Sequence, residues 1–449
     1  MRPPAQDRHG ETTPDLVITG GKVLCLSRSR AALLDADVAV SGGMITEVGD
    51  ARSRPCVPGK GAETIDARGC LVMPGLVNAH SHAAMTLFRG FADDLPLREW
   101  LHDRIFPAEA RFLEPDTVYW GALLGCLEMI ASGTTCIADG YFFQDQTVRA
   151  VLKAGLRGLV AQGVIDFPAP GVPEPKENLA VAKRFVERWH GVSDRVIPGI
   201  FCHSPVTCGG LTLRGAWRIC RDFGVPLQIH LSETLAEAGD VTARTGKRPV
   251  HYLDELGIVG PGLIAAHAVH LDDGEMAYLK EKGAAVVHVP ESNMKLCSGA
   301  ARVREMLDMG LTVGLGTDGC ASNNNLDLFQ EMDTAAKLGK VRSMDPVSID
   351  AETVLRMTVT GGAAVLGMEK EIGAIEAGRR ADIIILDLHR PHLHPMYEPA
   401  STLVYSADGG DVRDVIVDGR ILMRNRAFTS LDPAEIKARV KAAARRIMR

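Results

Sequence analysis

His80 and His82 follow the apolar run of residues 70–79. Side chains at i and i+2 of a strand leave on the same face. Two neutral imidazoles converging on one point make half of a metal site. Candidates for the other half lie in or at the ends of later apolar runs: His203-Ser204-Pro205, His230-Leu231-Ser232-Glu233, Ala265-Ala266-His267-Ala268 and Gly316-Thr317-Asp318-Gly319, with Asp139, Asp166 and His288 on further runs. Singly, each has a plain structural role. A histidine in an apolar strand is more often a core residue with a satisfied hydrogen bond. An aspartate that ends a strand is more often a helix N-cap. As a set they are different, because burying many unneeded imidazoles and carboxylates costs stability. Their convergence marks a catalytic site. The chemistry suited to imidazole and carboxylate ligands with one open position is activation of water by a divalent ion.

Such convergence needs a scaffold that brings many strand ends together. Eight apolar strand candidates run through the middle of the chain, at residues 71–79, 134–139, 158–165, 196–203, 226–232, 263–268, 284–289 and 312–317. Helical stretches such as 116–131 and 177–189 alternate with them. Near-continuous apolar strands alternating with helices imply a parallel sheet covered on both faces. Eight such units favour a (β/α)8 TIM-type barrel, whose chemistry gathers at the C-terminal ends of the strands. No G-x-G-x-x-G turn follows the first strand, which weakens a dinucleotide-binding alternative.

The flanks have another texture, β runs closed by glycines such as Leu16-Val17-Ile18-Thr19-Gly20-Gly21 and Asp37-Val38-Ala39-Val40-Ser41-Gly42-Gly43. It returns at Ala381-Asp382-Ile383-Ile384-Ile385-Leu386-Asp387 and at residues 412–419. A small discontinuous β-sandwich domain built from both chain ends is expected. The division is a disordered leader (1–13), the N-terminal portion of the β-sandwich (14–72), the barrel (73–371), the C-terminal portion of the β-sandwich (372–428) and a C-terminal helix (429–449). A further helical segment at 349–366 leads from the barrel back to the β domain.

The composition is 46% hydrophobic and 24% charged, with a net charge of -6. It gives no electrostatic case for nucleic acid or an anionic membrane as partner. No apolar run approaches the roughly 18 residues that span a bilayer, and the N-terminus has no apolar signal core. The ten cysteines form no C-x-x-C pair or disulfide framework, as expected of a cytoplasmic protein. Self-association of subunits stays open.

Residues 70–86, Cys-Leu-Val-Met-Pro-Gly-Leu-Val-Asn-Ala-His-Ser-His-Ala-Ala-Met-Thr, resemble the first-strand motif of the amidohydrolase superfamily. The strand-five and strand-six histidines, the strand-eight aspartate and the return Ile372-Gly373-Ala374-Ile375-Glu376-Ala377-Gly378 carry the same resemblance. Segments 90–97, 230–234, 291–296 and 316–324 narrow it to the 5'-methylthioadenosine/S-adenosylhomocysteine deaminases. These segments are partly shared with triazine hydrolases and other nucleobase deaminases.

The resemblance implies one divalent metal ion per subunit, Zn²⁺ before Fe²⁺ or Mn²⁺, held by His80, His82, His230 and Asp318. No lysine stands on strand three or four where a bridge between two metals would be expected. The resemblance gives catalytic roles to Glu233, His267 and Asp318, and substrate contacts to Glu109, His203, Glu233 and Asp318. Glu109 corresponds to the carboxylate that binds the ribose hydroxyls, His203 to the strand-four histidine that touches substrate. The implied reaction converts an adenine nucleoside (5'-methylthioadenosine, S-adenosylhomocysteine, 5'-deoxyadenosine or adenosine) to the inosine analogue plus ammonia. The rival is an amidohydrolase acting on a guanine, cytosine or chlorotriazine ring. One departure matters: after strand three, Gln162 stands where an arginine clamp for a homocysteine carboxylate is expected, and no arginine follows until Arg184. A neutral amide offers no bidentate charged clamp, so the small 5'-substituents are expected to be preferred. Trp100 is expected to pack in the core or a lid rather than to stack on the base.

Overall fold

The computed structural model describes residues 14–26, 31–51, 53 and 55–447; the expected leader, 1–13, lies outside them. Eight parallel strands form the barrel: Leu76–Ser81, Thr134–Tyr141, Arg157–Val164, Val196–Cys202, Leu227–Leu231, Leu263–His267, Ala285–His288 and Thr312–Leu315. They are numbered one to eight below. A parallel bridge between Ser81 and Asp318 joins the two ends of the sheet, and the Asp318 amide donates to the His80 carbonyl at 3.0 Å. The floor is filled from below by the segment after strand eight. Ala363, Val365 and Met368 there pack against Val77, Ala79 and Cys136 of strands one and two.

The second sheet has nine strands. Its centre joins the chain ends: Ile383–Asp387 runs antiparallel to Cys70–Pro74, which runs parallel to Leu16–Leu26. The sheet is mixed, with Ala31–Ser41, Met44–Asp50 and Glu63–Asp66 on the N-terminal side and Val412–Val417, Arg420–Arg424 and Ala427–Phe428 on the other. The C-terminal helix spans Pro433–Ile447. Among the described residues, no helix is long and apolar enough to cross a membrane.

The structure corrects one strand. The run 71–79 is not a single strand but two, Cys70–Pro74 in the nine-stranded sheet and Leu76–Ser81 in the barrel, divided at Gly75. Both sheets require apolar residues there, so hydrophobicity alone shows no break. The division rests on Pro74, which has no N–H to donate, and on Gly75, where a Cβ would lie 2.1 Å from Thr135 Oγ1.

A buried ion pair fastens the barrel to the second sheet. Arg157, at the start of strand three, donates to Asp382 through Nε at 2.8 Å and Nη2 at 3.1 Å. Both side chains are almost wholly buried. Removing one partner of such a pair strands the other charge. Asp382→Ala is therefore expected to destabilise the protein by about 3–5 kcal/mol in denaturant unfolding; an unchanged midpoint would show that Asp418, 3.4 Å from Arg157, replaces it.

Candidate active site and metal centre

At the C-terminal mouth of the barrel, His80, His82, His230 and Asp318 place one ligand atom each within 4.8 Å of one another. His82 Nε2 lies 3.3 Å from His230 Nε2 and 3.2 Å from Asp318 Oδ1; His80 Nε2 lies 3.6 Å from the same oxygen. Atoms bound at about 2.0–2.2 Å and tetrahedral angles to one ion stand about 3.3 Å apart, so the spacing fits a zinc-sized ion. His80 makes the same point by what it lacks: it is wholly buried, and neither ring nitrogen has a hydrogen-bond partner. An imidazole buried in this way costs stability unless something takes its lone pair. Burial drives His80 down to about 4 and holds His230 well below the ordinary histidine value, so both rings are neutral, the form that binds metal.

The ligands are held from behind. His82 Nδ1–H donates to the Gly140 carbonyl, which aims Nε2 into the site. Asp318 Oδ2 accepts from Ser292 Oγ at 2.6 Å and Ser322 Oγ at 3.0 Å, leaving Oδ1 toward the histidines. Such partners fix ligand orientation and raise metal affinity. Burial opposes the Asp318 charge, but the His80 and His82 rings outweigh it and keep the carboxyl well below its usual range.

Beside this group stand Glu233 and His267. His267 Nε2 is 3.8 Å from Glu233 Oε2; its Nδ1 pairs with Asn293 Oδ1 at 2.8 Å. Glu233 Oε1 accepts from Ser298 at 3.1 Å. Burial raises the Glu233 carboxyl, while the adjoining imidazole works against the rise. Burial would lower His267, but the Glu233 and Asp318 carboxylates reverse it. A carboxyl that holds its proton more tightly than usual and a carboxylate that holds its own more weakly are separated acid and base. Ser232, His267 and Asp318 all have positive φ (51°, 71° and 62°), a conformation that L-residues avoid and that concentrates at functional sites.

An open pocket leads to the centre, with His82, His230, Asp318, Glu109 and His203 on its wall. His203 Nδ1 pairs with Thr207 Oγ1 at 2.9 Å, and burial pushes the ring down to about 3. Glu109 is buried rather than a solvated helix charge, and burial lifts its carboxyl to about 7 against the donating Tyr141 hydroxyl. Trp100 is buried and also forms pocket wall. Gln162 is placed otherwise than the sequence suggested. It faces outward from strand three into a second cavity beside Arg184 and Arg188, and the substrate pocket is met by Gly163 and Val164 of strand three and by Ile165 just beyond it.

Of the remaining strand-end candidates, Asp166 is structural, accepting from the Gly209 amide at 2.6 Å and Thr212 at 2.7 Å. Asp139 accepts from Gln144 at 2.7 Å and from the Ala83 amide, holding the turn after His82. His288 is buried outside the four-residue group. Sequence reasoning gave no role to Tyr141, Ser292, Asn293, Ser298 or Ser322. Ser292, Asn293 and Ser322 lie inside the family-like segments, which was the available signal.

Residues 71–422 match the amidohydrolase family. The chain belongs to that family. This amidohydrolase is 47% identical over 439 residues to the 5-methylthioadenosine/S-adenosylhomocysteine deaminase of Syntrophobacter fumaroxidans, covering 98% of this chain and 99% of that one. It is 46% identical over 437 residues to the 5'-deoxyadenosine deaminase of Methanosarcina mazei, covering 97% and 98% of the two chains. Among solved structures, a zinc-bound adenosine deaminase from Xanthomonas campestris superposes with a TM-score of 0.93 at 37% identity, over 99% of this amidohydrolase and all of that chain.

Proposed function

We propose that this amidohydrolase is a metal-dependent deaminase of adenine nucleosides that favours small, uncharged 5'-substituents. The observation that carries the reaction is the meeting of the His80, His82, His230 and Asp318 group with the Glu233–His267 pair at the end of one pocket. A divalent ion bound by the four ligands, Zn²⁺ in this reading, supplies Lewis acidity and brings a water's pKa near neutral. Asp318, fixed through Oδ2, takes the proton of the attacking water. His267, oriented by Asn293, hydrogen-bonds that water and stabilises charge as the ring carbon becomes tetrahedral. Glu233 protonates the ring nitrogen beside that carbon. The proton held by Asp318 then passes to the amino group as its bond to the carbon breaks, and the hydroxyl proton left on that carbon goes to Glu233, which restores the acid and leaves the carbonyl and ammonia. Glu109 accepts from the ribose hydroxyls, and His203 contacts the substrate.

The preference for the 5'-substituent rests on the outer wall. Leu101, Ile105, Phe106, Val164 and Ile165 line it, and among the described residues no lysine or arginine does. The zwitterionic tail of S-adenosylhomocysteine would have to shed water against apolar surface without a cationic partner. kcat/KM for 5'-deoxyadenosine, 5'-methylthioadenosine and adenosine is expected to exceed that for S-adenosylhomocysteine by at least about tenfold, since hydrogen bonds to charged groups contribute about 1.5–3 kcal/mol. A clear preference for S-adenosylhomocysteine in that comparison sinks the specificity reading.

The same reading divides the chain into a barrel of 73–371 and a β domain of 14–72 and 372–428, with a terminal helix in 429–449. It places the enzyme in the cytoplasm, supported by ten cysteines that are all unpaired. Its partner is the small-molecule nucleoside, not nucleic acid or membrane, in keeping with the net charge of -6.

A further inference from the structure

Glu109 is supplied by the helix Phe106–Phe112 and Tyr141 by the last residue of strand two. They are 3% and 5% exposed, and both face the substrate pocket. The Tyr141 hydroxyl donates to Glu109 Oε1. Among the described residues, no other hydrogen-bond partner reaches this carboxylate, so Oε2 is left for a ligand. The phenol is itself held, its ring 5.3 Å from that of Phe142 and 6.0 Å from that of His82. A carboxylate in an apolar wall can turn about its terminal bond, which has broad, two-fold preferences. Tying one oxygen to a packed phenol removes that freedom and fixes the plane in which the other oxygen accepts.

We infer that Tyr141 is a positioning residue for substrate recognition, holding the Glu109 carboxylate in the one orientation that accepts a vicinal diol. The inference rests on the reading of Glu109 as the ribose contact. Tyr141 thus acts on ground-state binding of the sugar, in a pocket whose other end carries the chemistry. Interactions made equally in ground and transition states change KM and leave kcat alone.

The test is a double-mutant cycle of Tyr141→Phe and Glu109→Gln on metal-loaded enzyme, with adenosine and 2',3'-dideoxyadenosine as substrates. Tyr141→Phe is expected to raise KM for adenosine about tenfold, with kcat within about twofold and KM for the dideoxynucleoside unchanged, as loss of uniform binding requires. Added to Glu109→Gln it should do almost nothing more, because residues acting through one contact are not additive. Binding of inosine to folded Tyr141→Phe, measured by calorimetry, should weaken by the same factor as KM rises. Additive effects in the cycle, equal losses on both substrates, or a fall confined to kcat would each overturn the role of Tyr141. If Glu109→Gln treats the two substrates alike, the ribose reading fails first; if Glu109→Gln discriminates and Tyr141→Phe does not, only the positioning role is lost.

Discussion

His230→Ala is expected to abolish deamination by emptying the metal centre rather than by unfolding the barrel. His230 is the penultimate residue of strand five, where its Nε2 faces His82 Nε2 at 3.3 Å. Burial keeps its ring neutral and ready to bind. Removing it leaves two imidazoles and one carboxylate, one protein ligand fewer to hold the ion. Zinc affinity is expected to fall by more than the roughly 10–100-fold that loss of a supporting hydrogen bond costs. Competition titration with a chromophoric chelator measures that affinity. Chelation of the wild-type enzyme should reproduce the inactivity, and added zinc should restore the wild type but not, at stoichiometric metal, the variant. Full metal content and activity in His230→Ala would remove this histidine from the ligand set.

Glu233→Gln separates chemistry from metal binding. The amide keeps the shape of the side chain and can still meet Ser298, which lies 3.1 Å from Oε1, but it has no carboxyl proton to give the ring nitrogen. General acid catalysis contributes about 10²–10⁴-fold, and kcat should fall by that factor while metal content and KM stay close to wild type. The pairing with His267 makes the variant informative. With the carboxylate gone, the imidazole loses the partner that raises it, so any residual activity should show an altered pH profile. A variant whose kcat is intact would return Glu233 to the status of a carboxylate at a helix N-terminus, favourable to the helix dipole and nothing more.

The ligand set was legible because its signals were local. A histidine pair after an apolar strand, a His-x-x-Glu at another strand end and an isolated Asp after a third need no tertiary knowledge to be noticed, and the barrel places strand ends together. What was illegible depends on which way a side chain points. Strand three is buried along its whole length, so it carries no polar–apolar alternation from which to read that Gln162 faces outward while Gly163 lies against the pocket. The expectation for the 5'-substituent rests on Leu101, Phe106 and Ile165 along the pocket wall rather than on Gln162. Glu109 shows the same limit on a seven-residue helix, too short for its buried face to be read from periodicity. Ser292, Ser298 and Ser322 have the composition of turns, and only the fold turns their hydroxyls onto Asp318 and Glu233.

The central claim is that a water deprotonated by Asp318, beside the metal-binding group, attacks the amino-bearing carbon of an adenine nucleoside. Ammonia release from 5'-deoxyadenosine, followed together with loss of adenine absorbance on protein of verified zinc content, tests it most directly. The account predicts one ammonia for each adenine converted, with activity that tracks bound metal. Folded, zinc-loaded protein that leaves 5'-deoxyadenosine, 5'-methylthioadenosine and adenosine unchanged, while releasing ammonia from a guanine or cytosine ring or chloride from a chlorotriazine, would contradict it.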